Sequence, residues 1–407
     1  MSCLILGASF NQLELIKKSK RRGLFTVVVT PNEADPGVTI ADAHIKEDIR
    51  NIPEILSQCA QFRPRLCITD QSDLALMCQA FICAELAIPG PSVGVAQSFC
   101  DKYKCYTTIA ASGKRFHPET FYFDSTDAAE DYLPNVLTER FKWIVKPINS
   151  QGSRGVGRLG SDDDSSLLRS ALNESDGAGL IIQRYVDGRH FSVDAVITPD
   201  QYHTLVVAEK SKYTANANLD KRLVLMSPTQ VPVLGSIANF HREVVEAMGL
   251  QLGLTHGEYV LSHDGKIYLI EVAARGGGGN INGKITKYIS GFDPLDFIID
   301  VGLGSIPKIS IDDETGRCAI LHFFDSDAEI CTDLKIAEHS DLIHFEYRES
   351  VHKVSQPQDS RVRPGYFIVT GESYSNALVN ESHLLARLGQ QQVDHNILPA
   401  YVNNTDA

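Results

Sequence analysis

The sequence predicts a mixed fold of α/β and α+β parts in a chain of 407 residues. Three observations support this prediction. Strands alternate with helices near the N-terminus, a strand–loop–strand unit follows, and an Asp-Gly turn joins two strands further on. We therefore expect a parallel α/β domain, a central region with a small mobile subdomain, and a C-terminal α+β part. The predicted bounds are 1–98, 99–305 with the subdomain at 118–187, and 306–407.

The N-terminal segment carries three short apolar runs, Cys3–Leu6, Thr26–Val29 and Leu66–Thr69, with helical patterns between them. Parallel strands need a crossover connection, and a helix of this length provides one. Gly7 follows the first run but does not begin a GxGxxG sequence, so a dinucleotide fingerprint is absent. The turn-rich cluster Ile88–Ser92 indicates the end of this domain.

The remaining segments also alternate between strand-like and helical patterns. Trp143–Lys146 and Leu180–Tyr185 are predicted strands of the small subdomain. Beyond Pro307 we expect strands at Cys318–Phe324 and Gly365–Thr370. A final helix is expected at 375–388.

Composition limits the function classes. Apolar residues make up 43% of the chain and charged residues 22%, as in ordinary globular proteins. The net charge of −13 argues against nucleic-acid binding and against anionic membranes. The nine cysteines are scattered without metal-binding spacing, which favours buried thiols in the reducing cytoplasm over zinc or disulfide roles. We expect no signal peptide and no transmembrane helix.

The most informative stretch is 257–279, which reads GEYVLSHDGKIYLIEVAARGGGG. Asp-Gly favours a two-residue hairpin turn, because that turn needs positive φ. With Asp264-Gly265 as the loop, His263 faces Lys266, Val260 faces Leu269, and Glu258 faces Glu271. Opposed carboxylates repel each other unless a cation lies between them. Mg²⁺ prefers carboxylate oxygens together with phosphate oxygens and water, so we predict a metal site at this pair.

Arg275 follows this pair and precedes four glycines, 276–279. A guanidinium beside a metal suits a phosphate group or a developing oxyanion. Consecutive glycines let backbone N–H groups approach a ligand closely. The alternative interpretation is a solvated hairpin with an acidic edge and a flexible glycine loop.

A second loop, 149–157, reads NSQGSRGVG and lies between two predicted strands. Backbone N–H groups of such a loop can cover phosphates, and Lys146 just before it supplies a cation. The loop is not a P-loop, because no GK[ST] follows and a strand, not a helix, comes next. Taken alone, it is equally consistent with a hairpin loop that binds nothing.

The ordered set of these motifs resembles the ATP-grasp superfamily of ATP-dependent carboxylate ligases, in its L-amino acid ligase and biotin carboxylase branches. The resemblance extends over the whole chain. It includes the Asp101-Lys102 pair, the strand WIVKP at 143–147, the segment IIQRYVDG at 181–188, and RPGYFIVTG at 363–371. It implies an ATP-grasp fold with a pre-grasp domain at the N-terminus.

The resemblance also implies roles for individual residues. Glu258 and Glu271 correspond to metal ligands, and Arg275 and Lys212 to catalytic groups. The implied nucleotide-binding residues are Lys102, Lys146, Ser150, Gly152, Ser153, Gly155, Gln183, Arg184, Tyr185, Val186 and His190. The positions expected to face the acceptor substrate are His256, Gly277, Gly278, Asn280, Asn282 and Lys284.

Two positions depart from the family pattern. Many members hold the ribose with a glutamate where this chain has His190, and many have a metal-binding asparagine where it has Ala273. The histidine can donate to a ribose hydroxyl. The alanine removes one ligand of a two-metal site, so water or a neighbouring residue has to replace that ligand.

Together these features imply an ADP-forming ligase that joins a carboxylate to an amine through an acyl phosphate. ATP and Mg²⁺ are the implied cofactors, with Mn²⁺ as the alternative metal, and the partners are small molecules. A homodimer is expected because family members often form one. Two other functions stay open: a bicarbonate-dependent carboxylase acting through carboxyphosphate, and a nucleotide-binding protein without turnover.

Overall fold

The computed structural model describes residues 1–137, 141–213, 216, 218–312, 314–325, 340–347 and 363–389. Strands in this part of the chain form one four-stranded parallel sheet, one four-stranded antiparallel sheet and one eight-stranded antiparallel sheet. Among the same residues, no helix combines the length and apolar character needed to cross a bilayer.

The N-terminal unit confirms the predicted parallel α/β arrangement, with strand order β3-β2-β1-β4. Its strands are β1 Ser2–Leu6, β2 Phe25–Val29, β3 Ala43–Ile45 and β4 Pro64–Ile68. Its helices are α1 Leu13–Arg21, α2 Ile52–Cys59, α3 Asp73–Leu86 and α4 Val93–Cys100. The three-residue strand β3 was not predicted, since its sequence AHI has no distinct strand pattern. Buried Leu, Ile, Val and Cys side chains cover both faces of the sheet.

The small subdomain has strand order β5-β8-β6-β7. Its strands are β5 Thr120–Phe123, β6 Trp143–Pro147, β7 Gly157–Leu159 and β8 Leu180–Arg184. It is preceded by helix α5 Lys102–Ala111 and includes α6 Thr126–Val136 and α7 Asp164–Glu174. The Asp101 carboxylate caps α5 by accepting a hydrogen bond from the Lys104 N–H at 3.0 Å.

The eight-stranded sheet has the order β13-β12-β9-β10-β11-β14-β16-β15. Its first strands are β9 Gly188–Thr198, β10 Gln201–Lys212, β11 Asp220–Met226, β12 Gly253–Ser262 and β13 Ile267–Ala273. The last three are β14 Cys318–Phe323, β15 Leu342–Tyr347 and β16 Gly365–Gly371. The C-terminal strands therefore extend the central sheet, because β14 pairs with β11.

The two faces of this sheet differ in chemistry. One face packs on α8 Pro232–Met248 and α11 Tyr374–Arg387, and these bury a large apolar core. The other face carries polar side chains from β9, β10 and β12. It is partly covered by a π-helical turn at Ile281–Ile285 and by the helices α9 Thr286–Ser290 and α10 Pro294–Gly302. Because side chains alternate along a strand, the polar groups meet on one surface.

Candidate active site

The two carboxylates predicted to meet do face each other. Glu258 on β12 pairs with Glu271 on β13. Both line a narrow cleft of about 110 Å³ and an adjoining large cavity of about 490 Å³. Their side chains are 34% and 28% exposed, so both remain accessible to a ligand.

The turn that brings Glu258 opposite Glu271 differs from the predicted turn. The Ser262 N–H donates to the Lys266 carbonyl at 2.9 Å, so the loop has three residues, and Gly265 has a φ of +82°. The predicted two-residue turn with His263 facing Lys266 is therefore wrong. A three-residue loop with glycine in the left-handed region is the next most common hairpin connection.

A β-bulge at Ile270 restores the glutamate pair. Tyr259 pairs with Leu269 and Val260 with Tyr268, so the predicted pairing of Val260 with Leu269 is wrong. The extra residue turns Leu269 into the apolar core with Tyr259, while Ile270 and Glu271 line the cleft. The Ile270 carbonyl accepts a hydrogen bond from the Tyr106 hydroxyl at 3.0 Å.

A buried lysine compensates the charge of Glu258. Lys210 Nζ lies 2.6 Å from Glu258 Oε1 and 3.1 Å from Asp220 Oδ2, and Lys212 also pairs with Asp220. Although burial opposes it, the carboxylates of Asp220 and Glu258 raise the pKa of Lys210 well above its ordinary value. The predicted Lys212 lines both cavities, but Lys210 is the lysine that contacts the glutamate.

His256 lies between two carboxylates. Its Nδ1 is 3.0 Å from Asp194 Oδ2, and its Nε2 is 3.8 Å from Glu258 Oε1. Although burial opposes it, these carboxylates raise the pKa of His256 to about 9. Asp194 Oδ1 also accepts a hydrogen bond from the Gly277 N–H at 2.7 Å. A Cβ at Gly277 would lie 2.8 Å from that oxygen, which explains why glycine stands there.

Two further lysines line the narrow cleft with the glutamates. Lys102 Nζ is 2.8 Å from the Ser150 carbonyl and 3.4 Å from Glu271 Oε1. Lys146 Nζ is 2.8 Å from Gln183 Oε1 and, within the described residues, has no carboxylate at ion-pair distance. Burial and the charge of Lys102 lower the pKa of Lys146 to about 8. An under-compensated buried cation of this kind favours an anionic ligand.

The glycine-rich loop lies over the cleft. Gly152, Ser153 and Gly155 all have φ between +62° and +70°, a region costly for serine. The Ser153 hydroxyl donates to the Asn218 carbonyl at 2.9 Å, which connects the loop to the segment after β10. The buried Ser150 hydroxyl has no partner among the described residues, so it is available to a ligand.

The segment 183–186 lines one end of the cleft with the apolar side chains of Ile144, Val260 and Ile270. The Gln183 amide is fully used, because its Nε2 donates to the hydroxyls of Tyr106 at 3.1 Å and Thr120 at 2.9 Å. His190 also lines this cleft, and burial together with Lys212 lowers its pKa to about 4.

Arg275 lines the large cavity and is held by a residue of the N-terminal unit. Its Nε is 2.6 Å from Asp73 Oδ1, and its Nη2 is 3.1 Å from Asp73 Oδ2. Although burial opposes it, Asp73 raises the pKa of Arg275 above its ordinary value. A planar guanidinium held by two hydrogen bonds has a fixed orientation. Arg275 lies on the same side of the sheet as Glu271.

The predicted substrate residues divide into two groups. His256 and Gly278 line the large cavity. The others are not among its lining residues and make hydrogen bonds within the protein: Gly277 donates to Asp194, Asn280 to the Tyr366 hydroxyl, Asn282 to Asp70, and Lys284 to the Ile343 carbonyl.

Two of the polar residues that line the large cavity without having been predicted as site residues have an unpartnered buried atom. Arg363 stacks on Phe323, with its guanidinium carbon 3.7 Å from the ring centroid, and its buried Nε has no partner among the described residues. Gln71 has a φ of +66°, and its buried Oε1 likewise lacks a described partner. Gln71 follows β4 at the carboxyl edge of the parallel sheet, a usual position for ligand contacts.

The donor set fits a divalent cation only with help from a ligand. In the described part of the chain, no group of three or more His, Cys, Asp or Glu side chains is arranged to hold a metal. The Glu258–Glu271 pair supplies hard oxygen donors on one side only. The buried Ser192 hydroxyl is opposite Glu258 in the sheet and has no partner among the described residues. Mg²⁺ commonly binds one or two carboxylates and completes its shell with phosphate and water.

Comparison with known proteins identifies the fold. Residues 99–279 match the family described as ATP-grasp domain. No curated protein matches the chain by sequence. L-amino acid ligase from Bacillus licheniformis superimposes with a TM-score of 0.78 at 16% identity, covering 95% of this chain and 97% of that one.

Two further solved structures were determined with ligands. N5-carboxyaminoimidazole synthetase from Staphylococcus aureus, complexed with ADP, has a TM-score of 0.71 at 14% identity, covering 95% of this chain and 96% of that one. The biotin carboxylase domain dimer of Hydrogenobacter thermophilus 2-oxoglutarate carboxylase, with MgADP, ADP and bicarbonate, has a TM-score of 0.71 at 14% identity. The superposition covers 97% of this chain and 91% of that one. The chain has the ATP-grasp fold.

Proposed function

Residues 99–279 form an ATP-grasp domain, and from this premise we propose that the chain is an ATP-dependent carboxylate–amine ligase. In the proposed reaction ATP phosphorylates a carboxylate, an amine then attacks the acyl phosphate, and ADP and phosphate are released. One observation carries the proposal: Glu258 and Glu271 face each other in a cleft that Lys102 and Lys146 also line.

We place the nucleotide in the narrow cleft. The apolar side chains of Ile144, Val260 and Ile270 would contact the base. Gln183 holds Lys146 in place, so base recognition falls to backbone groups of Arg184, Tyr185 and Val186. His190 is largely neutral at pH 7 because of its lowered pKa, and it would donate to a ribose hydroxyl.

The phosphates would lie between the two lysines and the glycine-rich loop. Lys102 and Lys146 offset the phosphate charge, and the Ser150 hydroxyl supplies a free donor. Glu258 and Glu271 would hold Mg²⁺, or Mn²⁺, against the phosphate oxygens. When bound, the cation neutralises charge that develops on those oxygens in a loose transition state. The loop residues 150–155 would exclude water from the reactive intermediate.

The acid and the amine would occupy the large cavity. Arg363 Nε and Gln71 Oε1 have no partner among the described residues, so the first would donate to a carboxylate and the second would accept from an amine or hydroxyl. Leu223, Ile281 and Leu321 provide an apolar wall beside these groups. Arg275, held by Asp73, would stabilise the oxyanion formed when the amine adds.

The proposed reaction has two steps. A carboxylate oxygen attacks the γ-phosphorus, the bond to the β,γ-bridging oxygen breaks, and ADP leaves with that electron pair. The amine nitrogen then attacks the carbonyl carbon, the phosphate leaves with the C–O electrons, and the nitrogen loses one proton. An amide results.

We also propose a cellular compartment and an oligomeric state for the protein. The eight cysteines in the described part of the chain are free thiols, which supports a reducing compartment such as the cytoplasm. A homodimer is proposed because one structural neighbour is a domain dimer. Sedimentation at several protein concentrations tests the dimer.

The reaction can be tested with a library of carboxylic acids, ATP, Mg²⁺ and hydroxylamine. A hydroxamate that forms together with ADP supports the ligase and identifies the acid. ADP release with bicarbonate alone would support a carboxylase instead. Tight ATP binding with no ADP release across the library would replace the proposal with a nucleotide-binding role.

A further inference from the structure

A third cavity is also lined by Arg275 and shares no other lining residue with the large cavity, and the proposed ligase reaction does not use it. We call it the back cavity. It has a volume of about 340 Å³. Its walls come from α3, the 89–92 turn with the start of α4, the α8–β12 connection at 249–254, residues 274–276 and α10. A volume of this size is within the range of small-molecule sites.

The walls are predominantly apolar. The contributing side chains come from separate elements and form an apolar surface: Leu76, Val95, Leu250, Leu254, Phe297 and Val301. Four of them are at most 5% exposed, so the surface is part of the interior. Apolar pockets with a few placed polar groups are typical ligand sites.

One carboxyl group is buried in the wall of this cavity. Asp70 is 1% exposed and accepts hydrogen bonds from Asn282 Nδ2 at 2.8 Å and Gln71 Nε2 at 3.1 Å. Each carboxylate oxygen has two lone-pair sites, so these two side-chain donors and the Gln71 backbone N–H leave capacity unused. Burial raises the pKa of Asp70 to about 7, because these donors offset its desolvation only in part. A further donor would stabilise the carboxylate.

We propose that the back cavity binds a small uncharged molecule with an aromatic or branched apolar body and one N–H or O–H donor directed at Asp70. The apolar walls favour the apolar body of the molecule, and the Asp70 carboxyl group favours its hydrogen-bond donor.

The position of the cavity connects it with Arg275. A bound molecule would contact Ala274 and Gly276, the two chain neighbours of Arg275. It would also contact Leu76 and Gln79 on α3, the helix that begins with Asp73. Residues on both sides of the Asp73–Arg275 ion pair thus form walls of this cavity. A ligand bound there would therefore affect the position of Arg275 without entering the active site.

Indole is a suitable probe, since it has an apolar aromatic body and a single N–H donor. Binding is measured on the full-length chain by isothermal titration and by saturation-transfer NMR, without nucleotide, acid or amine. Failure of the proposed ligase activity therefore leaves this test unaffected. A crystal soaked with indole should show it in the back cavity with its nitrogen on Asp70.

Two variants fill the cavity from different helices, Val301→Trp on α10 and Val95→Trp on α4. Val379→Trp on α11, at a site 50% exposed, is the matched control. We expect wild type and the control to bind indole alike, and both filled variants to bind it at least about tenfold more weakly. Equal binding by the filled variants, or no binding by wild type, would overturn the proposal. The use of two helices separates filling from local misfolding.

Discussion

The guanidinium of Arg275 binds the carboxylate of Asp73 through two hydrogen bonds, Nε to Oδ1 at 2.6 Å and Nη2 to Oδ2 at 3.1 Å. Both side chains are nearly buried, with 12% and 13% exposure. The pair joins the first turn of α3 to the segment after β13. It therefore fixes the direction of an arginine at the rim of the large cavity from a different structural unit.

Replacing Asp73 with Asn should lower the turnover rate about 10- to 100-fold, because Arg275 loses the group that orients it. Asp176→Asn is the matched control, since its side chain is 88% exposed. In a double-mutant cycle with Arg275→Met, the effects on turnover should be strongly non-additive. Additive effects would mean that the pair does not act as a unit.

Nucleotide affinity should depend on pH through Lys146. Its pKa of about 8 is below the ordinary 10.5, and bound phosphate would raise it again by stabilising the ammonium. Affinity should be constant below pH 8 and fall as pH rises through it, by up to about tenfold per pH unit. Titration calorimetry with ADP measures this. Lys146→Arg should bind ADP with a nearly flat profile, and a parallel decline in both proteins would assign the effect elsewhere.

A buried ion triad should dominate the stability of the C-terminal part. Arg222 binds Glu381 at 2.6 and 2.7 Å, and His322 Nδ1 lies 2.9 Å from the same carboxylate. Glu381→Gln leaves Arg222 buried and uncompensated, so urea unfolding should show a loss of about 3–5 kcal/mol. Glu243→Gln, in an exposed pair with Lys114, should cost at most about 1 kcal/mol. Comparable losses would contradict this account.

The same triad predicts an acid dependence of stability. Although burial opposes it, His322 and Arg222 lower the pKa of Glu381 from 4.5 to about 2. A lowered native pKa contributes stability above the unfolded value, so this contribution is complete above about pH 4.5 and is lost as pH falls toward 2. Unfolding curves of wild type and Glu381→Gln should therefore converge in that window. Curves that stay equally separated down to pH 2 would exclude Glu381 as the titrating group.

The bulge at Ile270 should depend on Tyr106. Tyr106→Phe leaves the Ile270 carbonyl without its donor and removes a partner of Gln183, so stability should fall by about 1–3 kcal/mol. Thermal unfolding measures the loss. Tyr103→Phe is a suitable control, because Tyr103 on the same helix is 41% exposed. An equal change in both variants would contradict a specific role for Tyr106.

Local pattern was sufficient for much of the fold. Runs such as Cys3–Leu6 and Thr26–Val29 became strands because their apolar, β-branched residues fit a buried sheet. The pairing of Glu258 with Glu271 was predicted correctly, but the turn from which it was predicted is wrong. The three-residue loop shifts the register by one residue, and the bulge shifts it back. Neither is evident from the hairpin sequence, since the bulged Ile270 accepts a hydrogen bond from Tyr106 on another element and Leu269 is buried in a core that forms only in the fold.

Other parts of the site could not be predicted because they are long-range contacts. Asp194 was not predicted because it precedes its partner His256 by a helix and two strands, and nothing in the intervening sequence indicates the contact. The same holds for Asp73 with Arg275. Arg363 was within a predicted motif, but that its Nε has no partner in the described part of the chain is a property of packing that only coordinates show. Side-chain pairing across a fold requires tertiary structure.

The central claim is that Glu258 and Glu271 together hold a divalent cation against a nucleotide. Electron paramagnetic resonance of Mn²⁺ with ADP measures this directly, through the fraction of bound metal and its coupling to phosphorus. The double variant Glu258→Gln/Glu271→Gln is compared with Glu243→Gln/Glu246→Gln, whose side chains on α8 are 52% and 56% exposed. We expect wild type and the control to bind Mn²⁺·ADP alike and the double variant to bind it at least about 100-fold more weakly. Equal affinity in all three proteins would contradict the account.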